Sequence, residues 1–191
     1  MKLYKTVLMC VMLMPGLAQA NEYIIDKKGM HASIQFRVSH LGYSWLWGRF
    51  NDFEGRFNYD SKQPEKSSVN VTIKTASVDS NHAERDKHLR NEDFLEVNKY
   101  PEAKFVSTSF KADKNGDGIL KGDFTLRGIT KPISINVKFT GEGADPWGGY
   151  RAGFEGTTKF LMSDYKIKKN LGPASQEVEL FLVVEGVKVK K

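Results

Sequence analysis

The chain has 191 residues, 29 Lys and Arg against 23 Asp and Glu, a formal net charge of +6 at pH 7 and one cysteine. It is long enough for one well-buried domain. The basic residues form no block, which argues against a nucleic-acid-binding arm, and one thiol excludes a disulfide framework.

Residues 1–20 read as a cleavable signal peptide. Lys2 and Lys5 give a positive start, Val7 to Leu17 is an apolar run too short to span a bilayer, and Ala18-Gln-Ala20 is a small-x-small cleavage site. Cleavage before Asn21 removes Cys10, so the exported chain holds no thiol and depends on its core for stability. Residues 21–191 are expected to form a single domain. No second long apolar segment follows, so the exported protein is expected to be soluble.

From there the hydrophobic period is two almost throughout. Ile34, Phe36 and Val38 alternate with polar neighbours. The run from His40 to Phe57 is the densest in aromatics. Tyr43, Trp45 and Trp47 would share one face of an extended chain, and Phe53, Phe57 and Tyr59 share a face again after a break. Gly42, Gly48 and Gly55 sit among them. Large flat rings beside glycines suit either a well-filled barrel or one with a deep apolar hole. Further strands are predicted at Arg49–Tyr59, Val69–Ile73, Ala103–Lys111, Leu120–Leu126, Ile133–Phe139, Tyr150–Met162 and Val178–Val184. Turn signals separate them, among them Asp60 to Pro64, Asn115-Gly-Asp-Gly118 and Gly141 to Pro146.

One segment breaks the pattern. Ser80 to Val97 has helix chemistry: Asn81 is placed to cap the first turn, Glu84 to complete a capping box, and Asp86 and Arg90 form an i,i+4 pair. Asn91 is a candidate start for a second short helix carrying Phe94 and Leu95. Pro101 stops helix from continuing. A polar helix between two strands of a closed sheet has to lie on a rim or over a mouth.

Eight strands with one apolar face each, joined by short turns, can close on themselves and remove their exposed edges. The fold class is therefore all-β: an eight-stranded antiparallel β-barrel with a short helical insert near the opening. A barrel of this size either fills with side chains or holds one small ligand. An immunoglobulin-like sandwich is the alternative, but the strands are long and no cysteine pair marks one.

The chemical motifs are few. Asp113 to Gly118 opens like a calcium-binding loop, but the twelfth position is Phe124 where a glutamate is required, so it reads as a hairpin turn. His31, His40, His82 and His88 offer one pair at helical spacing, Glu84 with His88, which falls short of a metal site; no metal or cofactor is expected. No Gly-x-Ser-x-Gly occurs. Glu84, Asp86, Glu92 and Asp93 surround His88, leaving acid–base chemistry open. Asn70-Val-Thr72 fits a glycosylation sequon but falls inside a strand. Arg85, Lys87 and Arg90 on the insert, with Arg49 and Arg151 near strand ends, are suited to an anionic head group, because the planar guanidinium makes paired hydrogen bonds to phosphate.

These residues together resemble the YceI-like family. The resemblance rests on Ser77-Val-Asp79, Arg85-Asp86, His88-Leu89, Asp93-Phe94 and Lys99 to Phe105 with Ser107. His40, Gly48-Arg-Phe50, Phe53, Gly55, Gly122 to Leu126, Arg127 to Pro132, Trp147-Gly148 and Ala152-Gly-Phe154 support it. This chain departs from the pattern at Met162-Ser163 before Asp164-Tyr165, where many relatives have arginine, and at Leu95, where a second phenylalanine is common. The resemblance implies a secreted, periplasmic lipocalin-like barrel of a Gram-negative bacterium that binds, transports or stores a long-chain isoprenoid lipid, a polyprenyl phosphate or an isoprenoid quinone. On that reading the protein is not an enzyme and takes no cofactor beyond the lipid. The partner is the lipid and not nucleic acid, and a homodimer is allowed. Candidate cavity-wall residues are Phe36, Val38, Trp45, Trp47, Phe53, Phe57, Val71, Ile73, Phe105, Phe124, Leu126, Phe139, Phe154, Leu180 and Leu182. Candidate head-group residues are Arg49, Arg85, Arg90 and Arg151. The competing readings are an enzyme acting on a prenyl lipid through His88 with Glu84 or Asp86, and an interaction protein whose core is filled.

Overall fold

A computed structural model describes residues 20–169 and 171–190. The expected signal peptide therefore lies, except for Ala20, outside the described residues. The strands are β1 (Asn21–Ile25), β2 (Ser33–His40), β3 (Ser44–Phe50), β4 (Phe53–Tyr59), β5 (Ser68–Lys74), β6 (Val78–Asp79), β7 (Glu102–Ala112), β8 (Gly118–Leu126), β9 (Ile129–Ala144), β10 (Tyr150–Leu161) and β11 (Glu177–Lys188). The insert contributes one helix, α1 (Ala83–Arg90). Every pairing is antiparallel, in the order β1-β4-β5-β7-β8-β9-β10-β11, and β11 returns to β1 through Tyr23 opposite Lys188 and Ile25 opposite Gly186. The sheet is thus a closed eight-stranded barrel.

Three of its staves are broken in two, which is why eight strands become eleven. β11 pairs with β1 near its end and with β2 over Val178–Val183, so β1 and β2 form one interrupted stave. β3 continues β4, and β6 continues β5, since β6 pairs with β3. At the end where α1 sits, β6 has no second strand partner among the described residues. The last backbone link across this seam is Thr75 N–H to Pro101 O at 3.0 Å. The insert occupies the opening that follows.

The break between β3 and β4 reverses the side-chain alternation. Asn51 and Asp52 are not in the ladder; Asn51 N donates to Ser77 O at 3.1 Å and Asp52 O accepts from Lys74 N at 2.9 Å. The irregularity turns even positions inward before it (Leu46, Phe50) and odd positions inward after it (Phe53, Phe57). Trp45 and Trp47 consequently face solvent.

Inside the barrel, rings lie flat against wall positions that lack a side chain. A Cβ on Gly48 would stand 2.3 Å from Phe36 Cζ, and one on Gly122 would stand 2.4 Å from Phe105 Cζ and 2.5 Å from Val106 O. Tyr23 stacks on Phe57 at 4.8 Å between centroids, and Phe154 packs edge-on to Phe57 at 5.7 Å. The Tyr23, Phe57 and Phe154 contacts lie toward the end of the barrel away from the insert, and the Gly48–Phe36 contact toward the insert.

The insert departs from its expected capping. His82, not Asn81, is the N-cap; its Nδ1 accepts from Arg85 N–H at 3.2 Å, while Asn81 is left-handed at φ 61. Asp86 and Arg90 do not pair. Asp86 is buried and accepts from Ser80 N–H at 2.7 Å and Ser80 Oγ at 2.5 Å. Arg90 donates to the carbonyls of Ala76 and Val78 at 2.8 and 2.6 Å. Residues 91–100 form turns and not a second helix, and bury Phe94 and Leu95. Asp113 serves the hairpin turn, accepting from Asn115 N–H at 2.7 Å.

At the far end Arg151 clamps the barrel seam and is no head-group residue. Its guanidinium reaches Asp26 at 2.6 Å, Glu185 at 2.5 Å and Asp145 at 2.9 Å. β11 runs from the insert end at Val178 to this end, a full strand away. Asp26, His31 and Glu185 bring three ligand-type atoms within 4.8 Å of one another, but the guanidinium already supplies the cation there. The Arg151 hydrogen bond is the main reason that the Asp26 carboxyl falls from 3.8 to about 2.

A lowered carboxyl pKa stabilises the fold above the unfolded value and loses that stabilisation as pH falls through the folded one. Asp26→Asn is therefore expected to cost on the order of 2 kcal/mol at neutral pH. In urea titrations across pH, the gap from wild type should close between about 4 and about 2. Gly122→Ala should lower stability by about 1–3 kcal/mol through the clash with Phe105 and the Val106 carbonyl, read as a lower Tm in thermal unfolding.

Candidate functional site

The insert makes the largest apolar space of the barrel interior. A cavity of about 560 Å³ lies between the upper staves and the underside of the insert. β2 and β11 supply Phe36, Val38, Val178 and Leu180; α1 and its following turns supply Leu89, Phe94 and Leu95. Ile167 and Leu171, from the segment after β10, complete the wall, and His40, Leu41, Arg85 and His88 stand at its polar edge. The volume falls within the range typical of small-molecule sites, about 300–1,000 Å³.

Arg85 is positioned by the same network that seats the helix. Its Nε donates to Ser80 Oγ at 2.7 Å and a terminal nitrogen to Ser80 O at 2.6 Å. Among the described residues no carboxylate lies within 4.0 Å of this guanidinium. It is a cation without an ion-pair partner at the edge of an apolar cavity. His88 Nε2 is 3.1 Å from Asp93 Oδ2, and its ring stands edge-on to Phe94 at 5.0 Å. Of the acid–base set read from the sequence, Asp93 pairs with His88, whereas Asp86 is turned to Ser80.

A second cavity of about 110 Å³ lies deeper, walled by Phe57, Val71, Phe105, Phe110, Leu120 and Leu182 among others. Kept empty, an apolar void of that size costs about 2–3 kcal/mol at roughly 24 cal/mol per Å³.

The structure distributes the predicted wall residues unevenly. Phe36, Val38, Leu126 and Leu180 line the mouth cavity. Phe57, Val71, Phe105, Phe154 and Leu182 line the inner one. Phe53, Ile73 and Phe124 are buried but line neither. Phe139 packs against Tyr59 and Phe154 at 5.5 and 5.3 Å. Trp45 and Trp47 are corrected to the outer surface, 48% and 45% exposed. There Trp47 packs on Phe181 at 5.1 Å, and the Arg37 guanidinium sits 4.1 Å over the Trp45 ring.

Of the head-group candidates, Arg85 alone reaches the cavity. Arg90 is held by backbone carbonyls, as above. Arg49 is exposed and 3.7 Å from Asp79, on the outer face beside Trp47. Arg127, named above only within the Arg127 to Pro132 piece of the resemblance, has a structural task. It is buried in a left-handed conformation at φ 50, donates to Phe94 O and to Glu92 O (3.2 Å), and pairs with Glu96 at 2.9 Å. The sequence signal was its place before Gly128 and opposite an insert with spare carbonyls, which no spacing rule exposes. The deepest tyrosines, Tyr23 and Tyr165, have hydroxyls without partners among the described residues, and burial pushes both up to about 12.

The YceI-like domain model matches residues 23–186. A UPF0312 protein of Shewanella sp. (strain ANA-3) is 61% identical over 177 residues, 93% of each chain. The crystal structure of a Campylobacter jejuni YCEI protein superposes with a TM-score of 0.72 at 29% identity, over 80% of this chain and 91% of that one. A polyisoprenoid binding domain from Saccharophagus degradans, implicated in plant cell wall breakdown, shares the fold with a TM-score of 0.65 at 15% identity, over 89% of this chain and 99% of that one. A closed barrel with a polar insert seated over one end, and a family match across nearly the whole described chain, lead to one conclusion: the protein belongs to the YceI-like domain family.

Proposed function

We propose that this protein binds the hydrocarbon tail of a long-chain isoprenoid lipid in the mouth cavity, and carries or stores it in the periplasm. The observation that supports this most directly is the apolar cavity under the insert, with Arg85 as a cation free of carboxylates at its edge. Water expels a hydrocarbon tail, and a closed apolar wall takes it in. A tail of roughly 20 buried carbons gains about 16 kcal/mol gross, at ~0.8 kcal/mol per CH₂. Ordering the tail and losing its free motion offset much of this. Arg85 then suits a phosphate or another anionic head group at the mouth, fixing which end enters. The fold neighbour described as a polyisoprenoid binding domain supports the ligand class. The leader-like residues 1–20 support export to the periplasm.

Organic extraction of the purified, folded protein followed by mass spectrometry should yield one isoprenoid lipid per chain. An empty extract from protein purified from its native periplasm would count against the proposal. Val38→Trp, which fills the mouth cavity from its wall, is expected to keep the barrel's circular dichroism and weaken binding of a prenyl phosphate at least tenfold, on the order of 1.4 kcal/mol. Arg85→Met should weaken a prenyl phosphate more than the corresponding prenyl alcohol, measured by displacement of a fluorescent probe.

A further inference from the structure

The two cavities lie one beyond the other along the barrel, yet no residue lines both. Four of the eight staves carry an inward residue between the two, whereas on β11 Leu180 of the mouth cavity and Leu182 of the inner one are successive inward positions. On the stave formed by β3 and β4, Phe50 belongs to the mouth cavity and Phe57 to the inner one, with Phe53 between. On β5 and β6, Ile73 falls between Val71 and Val78. On β8, Phe124 falls between Leu120 and Leu126. Ile34 of β2 pairs with Leu182, an inner-cavity residue, and precedes Phe36, a mouth residue. Ile34, Phe53, Ile73 and Phe124 are all buried and line neither cavity.

These side chains stand on the barrel wall at the level between the two cavities. Phe53 and Ile73 are directly opposite each other on paired strands. Phe124 is held at that level by Phe160 at 5.7 Å and Tyr165 at 5.4 Å, two rings on the mouth side. Beyond that level, the inner cavity is a space with a mainly hydrocarbon lining that the core does not fill, with Leu120, Val71 and Val137 on its wall. Asn58, Ser67, Ser68 and Glu155 are the polar residues at its margin.

We infer that the inner cavity is a second hydrocarbon site, shut off from the mouth cavity by a layer formed by Ile34, Phe53, Ile73 and Phe124, and that Phe124 and Phe53 set the longest tail the protein holds. The inference rests on the lipid reading above and deepens it. The tail of the bound ligand stops at the layer. Carbons beyond that point stay at the mouth in water and add no affinity. Removing a ring from the layer joins the two spaces into one channel.

The test is a chain-length series on delipidated protein: geranyl, farnesyl, geranylgeranyl and longer polyprenyl phosphates, with Kd read by displacement of a fluorescent probe. Wild type is expected to gain affinity with length and then reach a plateau. Phe124→Ala should continue to gain, at least tenfold between the chain that reaches the plateau in wild type and the longest one. Adding Leu120→Trp, which refills the inner cavity, should restore the plateau. If Phe124→Ala does not fold, Phe53→Ala opens the layer at its other ring and is read by the same criterion. Identical length profiles in wild type and folded variant, with both binding prenyl chains, overturn the layer while leaving the lipid reading intact. Absence of binding at every length to folded wild type overturns both.

Discussion

The structure depends on a seam left open. Around most of the barrel each stave is satisfied by ladder hydrogen bonds on both sides, which removes the edges of the sheet. Beyond Thr75 and Pro101 the ladder between the β5–β6 stave and β7 stops, and backbone carbonyls on the β6 side need donors from elsewhere. Arg90 supplies them to Ala76 and Val78. On the other side, Arg127 supplies donors to Glu92 and Phe94 of the insert. Two arginines therefore stitch the insert into the gap, and the insert becomes part of the wall. The mouth cavity is the space between this part of the wall and the strands facing it.

This division of labour accounts for the sequence of the insert. A helix with so few apolar residues would be marginal alone. Here its polarity is used inward as well as outward: Asp86 is buried because it caps Ser80, and Ser80 in turn fixes Arg85. A charged network that fully satisfies itself can hold geometry at low net energetic return. Leu89, Phe94 and Leu95 supply the apolar contact beneath it.

Much of the fold was legible because a half-buried strand must alternate. Ile133 to Phe139 and Val178 to Val184 could hardly be read otherwise, and a meander of such strands without cysteines has few edge-free solutions. What alternation does not reveal is parity across a break. Trp45 and Trp47 share their odd numbering with Phe53 and Phe57, but the two residues Asn51 and Asp52 leave the ladder for Ser77 and Lys74, contacts made with a segment some 25 positions away. The cap at His82 was hidden for a similar reason. Asn81 is the better N-cap by local preference, yet it is taken into a left-handed turn while its backbone N–H binds Asp79. Arginines were the least legible of all, since the same fork that suits phosphate suits a row of carbonyls or three carboxylates, and only tertiary placement tells Arg85 from Arg90, Arg127 and Arg151.

The aromatic content takes on a different meaning once the glycines are placed. Rings are the largest apolar side chains available, and an eight-stranded barrel is about the size that such side chains can fill completely. Glycine at Gly48 and Gly122 lets Phe36 and Phe105 lie flat on the wall and not project across the lumen. A ring laid flat lines a space; a ring that projects closes it. Phe36 and Phe105 are of the first kind and line the two cavities, whereas Phe124, braced by Phe160 and Tyr165 and without a glycine beneath it among these contacts, is of the second. The barrel thus uses one residue type both to line its cavities and to partition them, and the partner across the wall decides which.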